Sequence, residues 1–156
     1  MIKEIIISFI ASFGFGIMFN IKGKKLFFAA VGGGISWFVY SLLLKLNLSN
    51  VLSLFVSSVV FSIYSEICAR ILKTPVTTIV VCALIPLVPG AGMYYTMYEI
   101  ITGNILRSLE VGMNTLASAG MLALGVIFVS TITRQITNFR RIKKLRLENK
   151  KIIKNS

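Results

Sequence analysis

The sequence contains no histidine and no aspartate, and its five acidic residues are all glutamate. Without histidine, the commonest metal ligand and neutral-pH proton carrier is missing. Only two cysteines are present, Cys68 and Cys82, both within apolar stretches. No CxxC pair or Cys/His cluster exists to hold zinc or an iron–sulfur centre, so no metal is expected. Both cysteines read as small buried hydrophobes. There is no Ser/His/Asp set, no phosphate loop and no pair of acids within one apolar stretch. These absences exclude the usual enzyme chemistries and require no cofactor. Charge is scarce as well: 14% of the 156 residues are charged, against about 25% in soluble domains.

Apolar residue types make up 56% of the chain, and its mean hydropathy is +0.85. A soluble domain of this length has too few polar residues left to cover such an interior, so the surplus must face lipid. The sequence predicts an all-α integral membrane protein with about five transmembrane helices. Residues 1–133 form the transmembrane domain, with spans at about 4–20, 26–44, 51–71, 75–101 and 111–133. Residues 134–156 form a basic cytoplasmic tail. The first span follows Lys3 as a signal peptide would, but no small-x-small cleavage site comes after it, and it reads as retained.

The formal net charge of +12 might point to nucleic acid, but the basic residues cluster between apolar stretches and at the C-terminus. That distribution reports topology. With five spans and the N-terminus outside, fourteen of the seventeen basic residues fall on the cytoplasmic side. Only Lys3, Lys45 and Arg107 lie opposite. In the tail, Phe139, Ile142 and Leu145 recur among the basic residues at roughly helical spacing, which predicts an amphipathic helix lying on anionic lipid.

Small residues recur four apart at Ser12/Gly16, Ala29/Gly33, Ala30/Gly34, Gly32/Ser36, Ser53/Ser57 and Ala119/Ala123. Such pairs let membrane helices approach closely. The run Gly32-Gly33-Gly34 predicts either tight packing or a flexible point.

The fourth span carries the most information. Pro86 cannot donate to the carbonyl of Cys82, nor Pro89 to that of Ile85, and Gly90 and Gly92 follow. The helix is therefore expected to break at Pro86–Gly92 into two halves near mid-membrane. Carbonyls at Cys82–Ile85 would suit an ammonium group. Amides at the start of the second half would suit a carboxylate. Broken spans build substrate sites in many transporters, and Tyr94, Tyr95 and Thr96 add hydroxyls. The candidate substrate-binding residues are thus Pro86, Pro89, Gly90, Gly92, Tyr94, Tyr95 and Thr96; a plain proline kink is the alternative. Candidates for coupling or gating are Glu99, Glu66, Arg70, Asn20 and Asn114. Glu66 and Arg70 are four apart and can pair with each other.

These residues resemble a known family. Pro86-Leu87-Val88-Pro89-Gly90 followed by Tyr95-Thr96-Met97 is similar to the P-x-x-P-G…Y-T-x-M signature of the threonine/serine exporters. Gly16-Ile17-Met18-Phe19-Asn20 resembles that family's G-x-x-F-N segment. The resemblance covers roughly residues 5–133, and the length fits the short subunit of its two-chain type. The basic tail after Asn138 departs from the pattern. The resemblance implies a subunit of a secondary exporter for threonine or serine, driven by an ion gradient, in the bacterial cytoplasmic (inner) membrane. It implies as partner a larger five-span subunit with a soluble N-terminal region, giving about ten spans in inverted halves. Two alternatives stand beside it. One is the same transporter acting on dicarboxylates such as succinate, which the lack of a mid-span Lys or Arg disfavours. The other is a non-transporting structural accessory subunit.

Overall fold

The computed structural model describes the backbone of residues 2–155 and the side chains of 2–137 and 139. Among these residues it is all helical: α1 (Ile2–Met18), α2 (Lys24–Lys45), α3 (Asn50–Ile71), α4 (Val76–Leu84), a 3-10 turn (Ile85–Leu87), α5 (Gly90–Ile101) and α6 (Ile105–Asn155). Three described helices are long and apolar enough to cross a membrane: α2, α3 and the Ile105–Thr137 part of α6. The bent pair α4–α5 makes a fourth if it is counted as one span. At 17 residues, α1 sits at the lower limit of spanning length.

Four of the turns between helices close in the same way. Asn20, Asn47, Lys73 and Gly103 adopt left-handed conformations, with φ of 57°, 59°, 47° and 84°. The next amide then reaches back five residues to a helix carbonyl: Ile21 to Gly16 (3.0 Å), Leu48 to Leu43 (3.3 Å), Thr74 to Ala69 (3.0 Å) and Asn104 to Glu99 (2.9 Å). This Schellman closure satisfies carbonyls that would otherwise be orphaned at the helix end. Asn tolerates the left-handed region, which explains Asn20 and Asn47; Lys73 is the costlier choice. At its start, α3 is capped by Ser49, whose hydroxyl accepts from the Leu52 amide at 3.4 Å.

Helix α2 lies at the centre, packed on α1, α3 and α4, while α6 packs on α3 and α5 on α6. The contact faces are built from small residues, as the four-apart pairs predict. Ser12, Gly16, Ala29, Ala30, Gly32, Gly33, Gly34, Ser36, Ser53 and Ser57 are all buried. The triple glycine does not interrupt α2; it is a packing surface. A Cβ on Gly33 would overlap the Ser12 hydroxyl of α1. A Cβ on Gly32 would lie 3.1 Å from that of Ala83. The pair Ala119/Ala123 behaves differently: neither residue is buried, and together they line a hollow beside the break.

Hydroxyls run through this interior. Ser36 shares its one hydroxyl hydrogen between Gly33 O (2.8 Å) and Ala83 O (2.9 Å), and Ser57 donates to Ser36 O (2.6 Å). Ser58, Ser62 and Ser65 continue the buried face of α3. Cys68 and Cys82 are buried and unbridged in one apolar cluster, matching their reading as small hydrophobes.

The last helix differs from expectation in extent. It starts at Ile105, six residues before the apolar stretch, because Arg107 is accommodated by an ion pair with Glu99 (3.2 Å). It then runs unbroken for 51 residues into the tail, about 75 Å at 1.5 Å per residue. In the tail, Phe139 is exposed. The side chains of Ile142 and Leu145 and the basic side chains from Arg140 onward lie outside the described residues, so the proposed lipid-facing stripe there stays an expectation.

Candidate functional site

The fourth span breaks where its prolines and glycines predict. α4 stops at Leu84, passes through the 3-10 turn, and resumes at Gly90 after a bend of 50°. Pro89 (φ −76°, ψ 57°) sits at the centre of an inverse γ-turn. That turn is closed by the Gly90 amide donating to Val88 O at 2.7 Å. The break lies alongside Ala119 and Ala123 of α6. They are 12 and 16 residues past Arg107, and 15 and 11 before Arg134, so the break is near the middle of the membrane-crossing segment.

The two sides of the break differ from the sequence expectation in one respect. Of the carbonyls at Cys82–Ile85, two are already engaged within the chain. Ala83 O accepts the Ser36 hydroxyl at 2.9 Å, and Ile85 O accepts the Val88 amide at 3.2 Å. The donor for Ala83 comes from 47 residues away, so local sequence could not disclose it. Cys82 keeps a carbonyl that Pro86 cannot serve. On the α5 side, the Met93 amide returns to Pro89 O at 3.2 Å. The amides of Ala91 and Gly92 have no backbone acceptor among the described residues. Two free N–H groups at a helix start form an anion-accepting end.

Only part of the candidate substrate set is drawn together. Gly92 packs so closely on Thr115 of α6 that a Cβ would overlap the threonine hydroxyl. Thr96, one turn on, donates to Gly92 O at 2.7 Å and receives the Ser108 hydroxyl on its carbonyl at 2.9 Å. The Thr115 and Ser108 contacts hold α5 against α6. Gly90, Tyr94 and Tyr95 face away from the chain. Tyr94 and Tyr95 are 65% and 54% exposed, with Tyr94 also stacked on Tyr98 (6.3 Å between centroids). No residue of α5 is buried. The hollow on the inner side of the break, about 310 Å³, is lined by Val80, Leu84, Val88, Met93, Leu122 and neighbouring apolar residues. It holds no charged side chain and does not suit a zwitterion.

The coupling and gating candidates are spread across the molecule. Glu99 clamps the α5–α6 turn: Arg107 Nε lies 3.2 Å from one oxygen and Asn104 Nδ2 donates to the other at 3.0 Å. At the other end, Arg70 Nε is 3.8 Å from Glu66 and its guanidinium donates to Thr137 Oγ1 at 2.8 Å, tying α3 to α6. Arg107 and Thr137 are 30 residues apart on one helix, about 45 Å, so the two acid–base pairs mark opposite ends. Asn20 is the left-handed residue that closes α1. Asn114 is exposed on α6. None of these five lines the hollow beside the break. Glu99→Gln, which keeps the Asn104 contact, is expected to leave transport within about twofold, since Arg107 is largely exposed to solvent and a pair with one solvated partner is weak. Loss of gradient-driven efflux with exchange intact would assign Glu99 to coupling instead.

Sequence reasoning missed the hydroxyl interior of α3. Ser58, Ser62 and Ser65 are buried on the face that continues from Ser53 and Ser57. Their spacing of four and three residues in an otherwise aliphatic helix was the available signal.

Apolar helices long enough to cross a membrane, beside a helix pair interrupted at free amides, are an arrangement that many transporters use. The family described as Threonine/Serine exporter, ThrE, matches residues 4–132. The chain belongs to the threonine/serine exporter family. No curated protein and no solved structure matches it.

Proposed function

We propose that this chain is one half of a secondary exporter that carries threonine or serine, its substrate docking on the outward face of the broken span. One observation carries the reading: α5 has no buried residue and presents Gly90, Tyr94 and Tyr95 away from the rest of the chain, with the free Ala91 and Gly92 amides at its start. The amides would take the substrate carboxylate, with the dipole of α5 behind them. The tyrosine hydroxyls would order the substrate's ammonium and hydroxyl groups. No Lys or Arg lies between Lys73 and Arg107, which favours a zwitterion over a dicarboxylate.

A site facing out of the chain needs a second wall. We assign it to a larger five-span partner with a soluble N-terminal region, the two halves together making about ten spans in inverted orientation. Counting α1 and the bent α4–α5 pair as single crossings gives five spans here. The loop charges put the N-terminus outside and the tail in the cytoplasm. Export is driven by an ion gradient, and the setting is the bacterial cytoplasmic membrane.

Gly90→Trp tests the site directly. A Cβ at Gly90 meets nothing within 4 Å, so the variant is expected to fold and reach the membrane at normal abundance. Counterflow of labelled threonine in proteoliposomes holding both chains is expected to fall to background. Unchanged counterflow would remove the site from α5. Transport by the larger chain alone would make this one an accessory subunit.

A further inference from the structure

The α1–α2 and α3–α4 turns meet at one end of the molecule. Ile21, 9% exposed, belongs to the apolar cluster of Cys68 and Ala69, against which Leu72 and Val76 pack. Beside this junction opens a cleft of about 310 Å³ lined by Phe19, Ile21, Thr77, Thr78 and Val81. Its body is apolar, and the two threonines bring hydroxyls to the first turn of α4. Both turns are locked by helix-closing bonds, Ile21 to Gly16 O and Thr74 to Ala69 O, each 3.0 Å. The backbone therefore fixes what stands at the rim.

Lysines flank the lining residues along the chain. Lys22 directly follows Ile21, with Lys24 and Lys25 close behind, and Lys73 ends α3 just ahead of α4. None of the four makes an ion pair among the described residues. Glu66, at the end of the neighbouring helix, is engaged by Arg70. The rim thus carries uncompensated positive charge above an apolar slot, at the depth where a span meets the headgroup layer. An anionic head on an alkyl chain matches that order of charge and polarity, and a soluble anion would leave the slot unfilled.

We propose that this cleft seats one anionic phospholipid, its phosphate between Lys22 and Lys73 and an acyl chain along Phe19 and Val81. The proposal rests on the chain's place in the membrane and not on the substrate site. It is tested with the full chain in nanodiscs, using phosphatidylglycerol with a photoreactive group in its acyl chain, and phosphatidylcholine tagged identically. The expected result is preferential labelling of residues 19–21 and 77–81 by phosphatidylglycerol. A K22Q/K73Q variant, both sites being exposed, should lower that labelling about thirtyfold, the combined effect of two interfacial lysines, while labelling of the tail stays constant. Equal labelling by phosphatidylcholine, labelling confined to the tail, or no response to K22Q/K73Q would each overturn the proposal. So would displacement of the lipid by inorganic phosphate at millimolar concentration, which would mark a site for free anions.

Discussion

Gly92→Val is expected to lower threonine export about tenfold or more, with the rest of the fold intact. The argument is geometric. α5 packs chiefly on α6, and Gly92 lies directly against it. A Cβ there would overlap the Thr115 hydroxyl, with Thr115 Cγ2 and Cβ at 3.1 and 3.2 Å. Three atoms of a β-branched side chain cannot all withdraw by rotation, so α5 must lift. Overpacking of this kind costs about 1–3 kcal/mol, a factor of roughly five to 150. Here it displaces the element that carries the free amides. Efflux assays beside a membrane-abundance blot make the measurement. Adding Thr115→Gly should restore much of the activity. If Gly92→Val exports normally, α5 does not need its seat on α6, and the site reading loses its support.

The second large effect is expected at Gly125→Val. Gly125 sits where α6 meets α3. A Cβ there would overlap the Ser58 hydroxyl and lie 2.9 Å from Ser58 Cβ and 3.1 Å from Phe55 O. The serine can rotate, but the Phe55 carbonyl belongs to the backbone of α3 and cannot. The helices must separate, which would cost about 1–3 kcal/mol. Unlike Gly92→Val, this change should act on stability first: the thermal midpoint in detergent drops by several degrees, and membrane abundance falls with it. Ser58→Gly in the same chain should recover only part of the loss, because the Phe55 contact remains. Full recovery would show that the serine alone sets the spacing.

How much of this was legible in the sequence follows from the range of each interaction. Pro86, Pro89 and Gly90 act within one turn of themselves, so the break could be placed from composition. The four-apart pairs on α1–α3 likewise encode a face that the helix geometry fixes. Ala119/Ala123 obeys the same spacing and yet lines a hollow, because whether a small residue is covered depends on which helix arrives opposite. The capping of Ala83 O by Ser36 depends on the approach of α2 to α4, a tertiary fact. So does the outward direction of Tyr94 and Tyr95: their position after the break was readable, but not that α5 packs chiefly on α6. Glu99 was visible as a lone acid near a membrane edge, while its engagement by Arg107 and Asn104 required the tight turn at Gly103.

The small-residue seams also bear on how this chain can vary. Its helices meet through glycine, alanine and serine, while phenylalanine, isoleucine and leucine largely face outward: Phe27, Ile63, Leu116 and Phe128 are all exposed. In a water-soluble domain, large aliphatic positions are the ones that resist replacement. Here the ranking inverts. An outward isoleucine can become any other lipid-compatible side chain, whereas an inward glycine has no larger substitute that preserves the distance between two helices. Drift in this protein is therefore channelled to its bulkiest residues, and its smallest ones hold the record of its architecture.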